Sequence, residues 1–380
     1  MVARPRVDPR IAAVRIVAFG TYRLWEQPRV QVLFEGLRER GHELVECNVP
    51  LQVDTAERVK AARQPLRAPL VAARVARAWR DLWRKAKEMP DPDVVLVPYM
   101  GQFDVHLARR RFKSKPIVLD HYLFFKDTAI DRGTTFKPEL AVLDRIDKSA
   151  VRAADLVFVD SEGHRELLPE PIRSEAFTVY IGTPKEWFHE PEPRNEGPIR
   201  IVFFGIYTPL QGAPVIGQAI RLLDPDPAEV RFTMAGRGQD LAWTKDLAGD
   251  SPAVEWFDWV ERDELPTLVF EHDICLGIFS PGAKGMRVIP NKVFQGAAAG
   301  CAIVTSDSVS QKEALGDAAR FVEPGDPQAL ADALRWLIAD RDRIWALRQA
   351  AYRRAVEAFA PAAVVEPLQA RLQAGVRKRR

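Results

Sequence analysis

The chain has 380 residues, 47% hydrophobic and 28% charged, with a net charge of only +3 at pH 7. That length supports two domains with separate cores, and the composition excludes a disordered or fibrous chain. The near-neutral balance gives no sign of nucleic-acid binding, and the wide spacing of Cys47, Cys275 and Cys301 excludes a disulfide framework or a paired-cysteine zinc site.

The opening MVARPRVDPR lacks the apolar stretch of a secretory leader, and no run reaches the roughly 18 apolar residues of a membrane span. A cytoplasmic protein is the expectation. VRIVAFG (14–20) predicts a buried strand followed by a helix near 28–40, and HELVECNV (42–49) predicts the next strand. Residues 56–88 are densely basic: Arg58, Lys60, Arg63, Arg67, Arg74, Arg77, Arg80, Arg84, Lys85 and Lys87 interleave with Val71, Val75, Trp79, Leu82 and Trp83 at near-helical spacing. Such a segment suits either peripheral contact with an anionic membrane, at the inner face of the cell membrane, or a packing helix with solvated arginines.

Further strands are expected at 93–99, 116–120 and 155–160. The segment LDHYLFFKDTAIDRGTTF (119–136) is long for a plain connection, and long loops at strand ends often carry function. PEPRNEGP (191–198) has the composition of a linker and places the domain boundary between 192 and 193. The pattern then restarts, with strands expected at 199–205, 230–236, 254–260, 273–280, 301–307 and 319–324. Alternating strands and helices imply α/β architecture, two Rossmann-like parallel-sheet domains facing each other across a cleft. They span 1–192 and 193–359, and a terminal helix at about 360–380, after a break near Pro361, packs back on the first.

The stretch RVIPNKVFQGAAAGCAIVTSD (287–307) reads as a short helix entered at Pro290 and left at Gly300, falling directly into a buried strand. Lys284, Arg287 and Lys292 crowd its start, where the positive end of the helix dipole makes cations costly unless an anion lies among them. A phosphate-bearing ligand satisfies that condition. Two DPD triplets, 91–93 and 224–226, read as turns rather than metal ligands, so no metal site is expected.

Several of these segments, FFGIYTPLQGAPVIGQAI (203–220), FTMAGRGQD (232–240), VEWFDWVERDELPTL (254–268) and DICLGIFS (273–280), resemble the donor-binding half of a GT-B glycosyltransferase, most closely the retaining enzymes of glycosyltransferase family 4. The resemblance covers roughly 199–340 well and the first half more loosely. It implies a metal-independent transferase that needs no cofactor and moves a sugar from a nucleotide-sugar donor to an acceptor hydroxyl, in glycan, glycolipid or glycosylated-metabolite biosynthesis. The implied donor residues are Gly205, Tyr207, Gln211, Gly212, Gly236, Trp259, Lys284, Arg287, Asn291, Lys292, Val293 and Gln295. Gly20, Tyr22, Asp120, Asp131 and Arg132 are expected on the acceptor side, and His121, Asp127 and Arg287 near the reacting centre. The acceptor would be a glycan, a lipid-linked or a small molecule.

The pattern also departs from the family. A pair of glutamates eight positions apart is replaced by Arg287 and Gln295, and a basic pair of the glycine loop falls near Tyr207 and on Gln211. The phosphate-binding charge is therefore expected to come from Lys284, Arg287 and Lys292. The missing glutamates leave two rivals: a non-catalytic GT-B protein that binds a nucleotide or glycan, and a nucleotide-sugar epimerase of the same fold.

Overall fold

The computed structural model describes residues 13–51, 68–194, 196–376 and 378. Strands β1 (Arg15–Gly20), β2 (Glu43–Asn48), β3 (Val94–Val97), β4 (Ile117–Asp120), β5 (Leu156–Val159) and β6 (Phe177–Thr178) form one parallel sheet in the order β2-β1-β3-β4-β5-β6. A second parallel sheet holds β7 (Ile199–Phe204), β8 (Val230–Ala235), β9 (Val254–Phe257), β10 (Ile274–Leu276), β11 (Ala302–Ser306) and β12 (Ala319–Val322), ordered β12-β11-β10-β7-β8-β9. In β3, β4, β5 and β11 every residue is buried, as expected where helices cover both faces of a parallel sheet. The sequence reading missed β6, whose two residues are too short to give an apolar run.

Strand order reverses between β1 and β3 in the first sheet and between β7 and β10 in the second. Ligands of open α/β sheets bind in the crevice beyond the carboxyl ends at such switch points. Those ends face each other here. Arg287, in the loop after β10, forms an ion pair with Asp127, which follows β4. Lys284 Nζ donates to Thr128 Oγ1 at 2.9 Å, and Arg262 Nη2 donates to Gln31 Oε1 at 2.6 Å. A Cβ added at Gly163 would stand 2.8 Å from the Arg287 Cα, so only glycine admits this approach.

The chain passes between the domains twice. After β6, Ile181 and Trp187 pack against Val202 and Phe204 of the second domain, ahead of the segment at 191–198. Helix Arg341–Arg354 runs through a π turn to Pro361. Beyond it Val364, Val365, Leu368 and Leu372 join Val30, Leu33, Phe34 and Leu37 in the core of the first domain.

Helix Ala68–Ala86 turns Ala78, Leu82 and Ala86 inward, with Trp79 and Trp83 packed on the same core. Its apolar face is thus committed to the fold, and Arg74, Arg77, Arg80 and Arg84 are exposed. Residues 56–67 of the basic segment lie outside the described residues. Among the described residues no helix is long and apolar enough to cross a membrane.

Candidate functional site

Two glycine loops meet at the β7–β10 switch point. Gly205 follows β7 with φ +127°, Gly236 follows β8 with φ +132°, and a Cβ on Gly236 would lie 1.8 Å from the Gly205 carbonyl oxygen. Gly212, at φ +62°, allows its turn to touch the backbone of Phe279 and Ser280, where a Cβ would come within 2.4 Å. A Cβ at Gly205 would meet only the Lys292 side chain, at 3.6 Å. Gly236 and Gly212 therefore serve backbone packing, while Gly205 leaves space in front of the lysine.

Lys292 is the group that defines this space. It lies on helix Asn291–Ala298, whose face bearing Val293, Phe294, Ala297 and Ala298 is buried against the sheet. Gly296 brings that helix close to β10, since a Cβ there would be 2.6 Å from Cys275 Sγ. Lys292 Nζ donates to Gln211 Oε1 at 2.5 Å and sits 3.6 Å from the centroid of the Phe203 ring. Neither neighbour carries charge. Burial lowers its ammonium from 10.5 to about 7. Lys292 stands beside Gln211, the position where the family pattern has a loop cation. The Lys292 ammonium thus reaches the loop after β7 from the helix that follows β10.

Other expected donor residues are placed differently. Tyr207 is fully buried with its ring edge-on to Phe203 at 5.3 Å, and its hydroxyl has no hydrogen-bond partner among the described residues. Val293 is core. Asn291 and Gln295 follow one another on the helix face that carries Lys292's turn, and Asn291 Oδ1 is buried without a partner among the described residues. Trp259 is exposed, with the Arg237 guanidinium 4.6 Å from its ring centroid. Arg237 was not among the expected residues, although its neighbour Gly236 was. Lys284 and Arg287 reach into the first domain rather than toward the helix start, as the Thr128 and Asp127 contacts show. Burial pulls the Lys284 ammonium below its ordinary value, against the attraction of Asp131 and Asp127.

On the first domain Asp120 is buried in an ion pair with Arg29, 2.7 Å from Oδ1 to Nη2. Tyr22 is core, donating to Glu46 Oε2 at 3.2 Å. Both side chains are turned into the first domain away from solvent: a strand-end residue can turn inward, and the sequence does not fix which way. Gly20 lies beside Asp104, whose carboxylate accepts from Thr21 N at 2.7 Å. Asp131 is half-buried, its carboxyl pushed up mainly by burial, and Arg132 is exposed.

His121, Asp127 and Arg287 come together. With Asp147 they line a cavity of about 240 Å³. Burial, aided by His164, pushes the His121 imidazole down to about 3, so it is neutral near pH 7 and a weak base. Among the described residues no group of three or more His, Cys, Asp or Glu side chains is arranged to hold a metal. Asp91 and Asp93 engage Lys115 and the Arg15 amide, and Asp226 accepts from Ala228 N, as turn residues do.

Residues 198–340 match the family described as Glycosyl transferases group 1. The match falls within the second domain and leaves the first unmatched. The Gly205 loop, Lys292 and Trp259 all lie within the matched residues. No curated protein matches the chain by sequence. Among solved structures it is similar to sucrose-phosphate synthase from Thermosynechococcus elongatus, at TM-score 0.68 and 13% identity, over 95% of this chain and 99% of that one. Anabaena HepE in complex with UDP-glucose superposes at TM-score 0.66 with 14% identity, over 95% and 99%. A trehalose-6-phosphate protein from E. coli bound with UDP-2-fluoro glucose does so at 0.67 with 13% identity, over 97% and 100%. At these identities the likeness establishes the GT-B fold alone, with the residues matched to the group 1 family in its second half.

Proposed function

We propose that the protein transfers a sugar from a nucleotide-sugar donor, held by the second domain, to an acceptor hydroxyl presented by the first. The observation that carries this reading is Lys292: a buried ammonium with only an amide oxygen and a ring face for company, set in front of an open glycine at the switch point. An uncompensated buried cation is costly, and a diphosphate in that space would supply its counter-charge. Trp259, flat and exposed at the end of β9, offers a surface for the nucleotide base. As phosphate is lost from the sugar, Lys292 and the amides at the start of helix Asn291–Ala298 would stabilise the leaving diphosphate, a role that a metal ion fills in other enzymes. The transfer is accordingly proposed to need no metal and no cofactor, and to retain the anomeric configuration.

HepE and the E. coli structure hold uridine nucleotides, so UDP is the first nucleotide to test. Titration calorimetry with UDP, GDP and ADP should show saturable binding of at least one, and Lys292→Met should weaken it by about a hundredfold, the scale of one lost charge-assisted contact. Binding by none of them would overturn the reading. The exposed guanidiniums of helix Ala68–Ala86 support a further electrostatic contact with anionic lipid at the inner face of the cell membrane.

A further inference from the structure

The cavity beside the interdomain contact has two kinds of wall. Its floor carries polar atoms sealed from solvent without hydrogen-bond partners among the described residues: His121 Nε2, Asp147 Oδ1 and Asp127 Oδ2. His121 Nε2 and Asp147 Oδ1 face each other across 4.0 Å, too far for a hydrogen bond and close enough for one hydroxyl to bridge them. Asp147 is held in place from behind, its other oxygen accepting from Lys126 N at 3.2 Å. The upper wall is aliphatic, from Ile130, Val151, Leu167, Leu168 and Pro169.

The surroundings extend that apolar wall. Among the described residues of the first domain, the exposed large hydrophobic side chains are Phe103, Ile130, Phe136, Val142 and Leu167. All five lie on or next to the helices Phe125–Asp131 and Lys137–Ala153 or the loop at 167. Ile130 and Leu167 rim the cavity itself, and Phe103 and Val142 line a second hollow on the other side of the Lys137–Ala153 helix. Scattered apolar residues need no explanation, but their concentration beside a cavity with unpaired polar atoms does.

We propose that this cavity is an acceptor subsite for a hydroxylated amphiphile: a hydroxyl bridges His121 and Asp147, and an aliphatic tail leaves over Ile130 and Leu167. The assignment rests on the transferase reading above, since it is the acceptor of that reaction that the cavity receives. Asp147 acts as a positioning residue and touches no donor atom. The bridging hydroxyl accepts from His121 Nε2–H and donates to Asp147 Oδ1, Asp127 Oδ2 is free to accept a second O–H, and the rim selects for chain length, each buried methylene adding to affinity.

The probe is n-octyl β-D-glucoside below its micellar concentration, compared with glucose, titrated into the full-length protein with and without saturating nucleoside diphosphate. The glucoside is expected to bind saturably and at least about tenfold more tightly than glucose. Leu167→Glu and Ile130→Glu change exposed residues and leave the core intact. Each should remove about tenfold of that affinity, and Asp147→Asn should weaken glucose and glucoside alike. Nucleotide affinity should be unchanged in all three variants. Equal binding of glucose and glucoside, or glucoside uptake insensitive to Leu167→Glu, overturns the proposal while nucleotide binding still stands. Failure of every nucleotide to bind would overturn the transferase reading instead, and is read in the same titrations.

Discussion

With a nucleotide bound as proposed, Lys292 would make binding a proton-linked event. In the free protein its ammonium is lowered from 10.5 to about 7 by burial, so at pH 8 only about a tenth of the molecules carry the charge. A bound diphosphate supplies the missing anion and returns the group toward its ordinary value. Each nucleotide bound at pH 8 should then take up about 0.9 proton, and affinity should fall about tenfold for each pH unit above the free pKa until the bound pKa is reached. At pH 8 the nucleotide's own phosphates are fully ionised and contribute nothing.

Calorimetry in buffers of different ionisation enthalpy reads the uptake directly. Lys292→Met should abolish both the uptake and the pH dependence. The free protein supplies a second reading of opposite sign. Between pH 7 and 10.5 the unfolded chain binds the Lys292 proton and the folded chain does not, so stability rises with pH across that window. The whole shift corresponds to an upper limit of about 5 kcal/mol, at about 1.4 kcal/mol per unit. Lys292→Met should therefore raise the melting temperature of the free protein near pH 7 while weakening nucleotide binding by about a hundredfold. Zero uptake at pH 8 by the wild-type protein, or equal uptake by the variant, would refute the reasoning.

Three other outcomes follow from the packing. Asp120→Ala leaves the Arg29 guanidinium buried without its partner and should destabilise the fold by about 3–5 kcal/mol in urea denaturation, with nucleotide affinity preserved. Gly236→Ala forces a Cβ against the Gly205 carbonyl at a φ that disfavours side chains, so nucleotide affinity should fall without loss of the far-ultraviolet spectrum of the folded protein. Reversing Arg74, Arg77, Arg80 and Arg84 to glutamate should abolish co-sedimentation with anionic liposomes, while wild-type binding that resists high salt would argue against an electrostatic contact.

Much of the fold was legible because parallel strands buried on both faces are written as apolar runs, as VVLV and LVFV are at β3 and β5. Lys292 was legible too, from its place at a helix start, yet its target was not. Only the fold shows that its side chain reaches back to Gln211 whereas Lys284 and Arg287 cross to the first domain. The inward turn of Asp120 and Tyr22 was not legible because both stand at or just past a strand end, where inward and outward side chains look alike in sequence. Asp147 left no signal at all. It sits among Asp144, Arg145 and Lys148 on a helix that reads as a solvated face, and only the packing of that helix under Phe125–Asp131 buries it. Leu167 and Ile130 are likewise brought to one rim by topology rather than by spacing.

The central claim is that Lys292 and the Gly205 loop hold a nucleotide sugar from which the sugar is transferred. It is tested most directly by following nucleoside diphosphate release from a panel of nucleotide sugars in the presence of EDTA, with and without a hydroxylated acceptor. Acceptor-dependent release that survives EDTA and disappears in Lys292→Met is the expected result. Nucleotide binding without any release would contradict transfer and favour a non-catalytic binding protein, and conversion of the nucleotide sugar to an isomer without release would favour an epimerase.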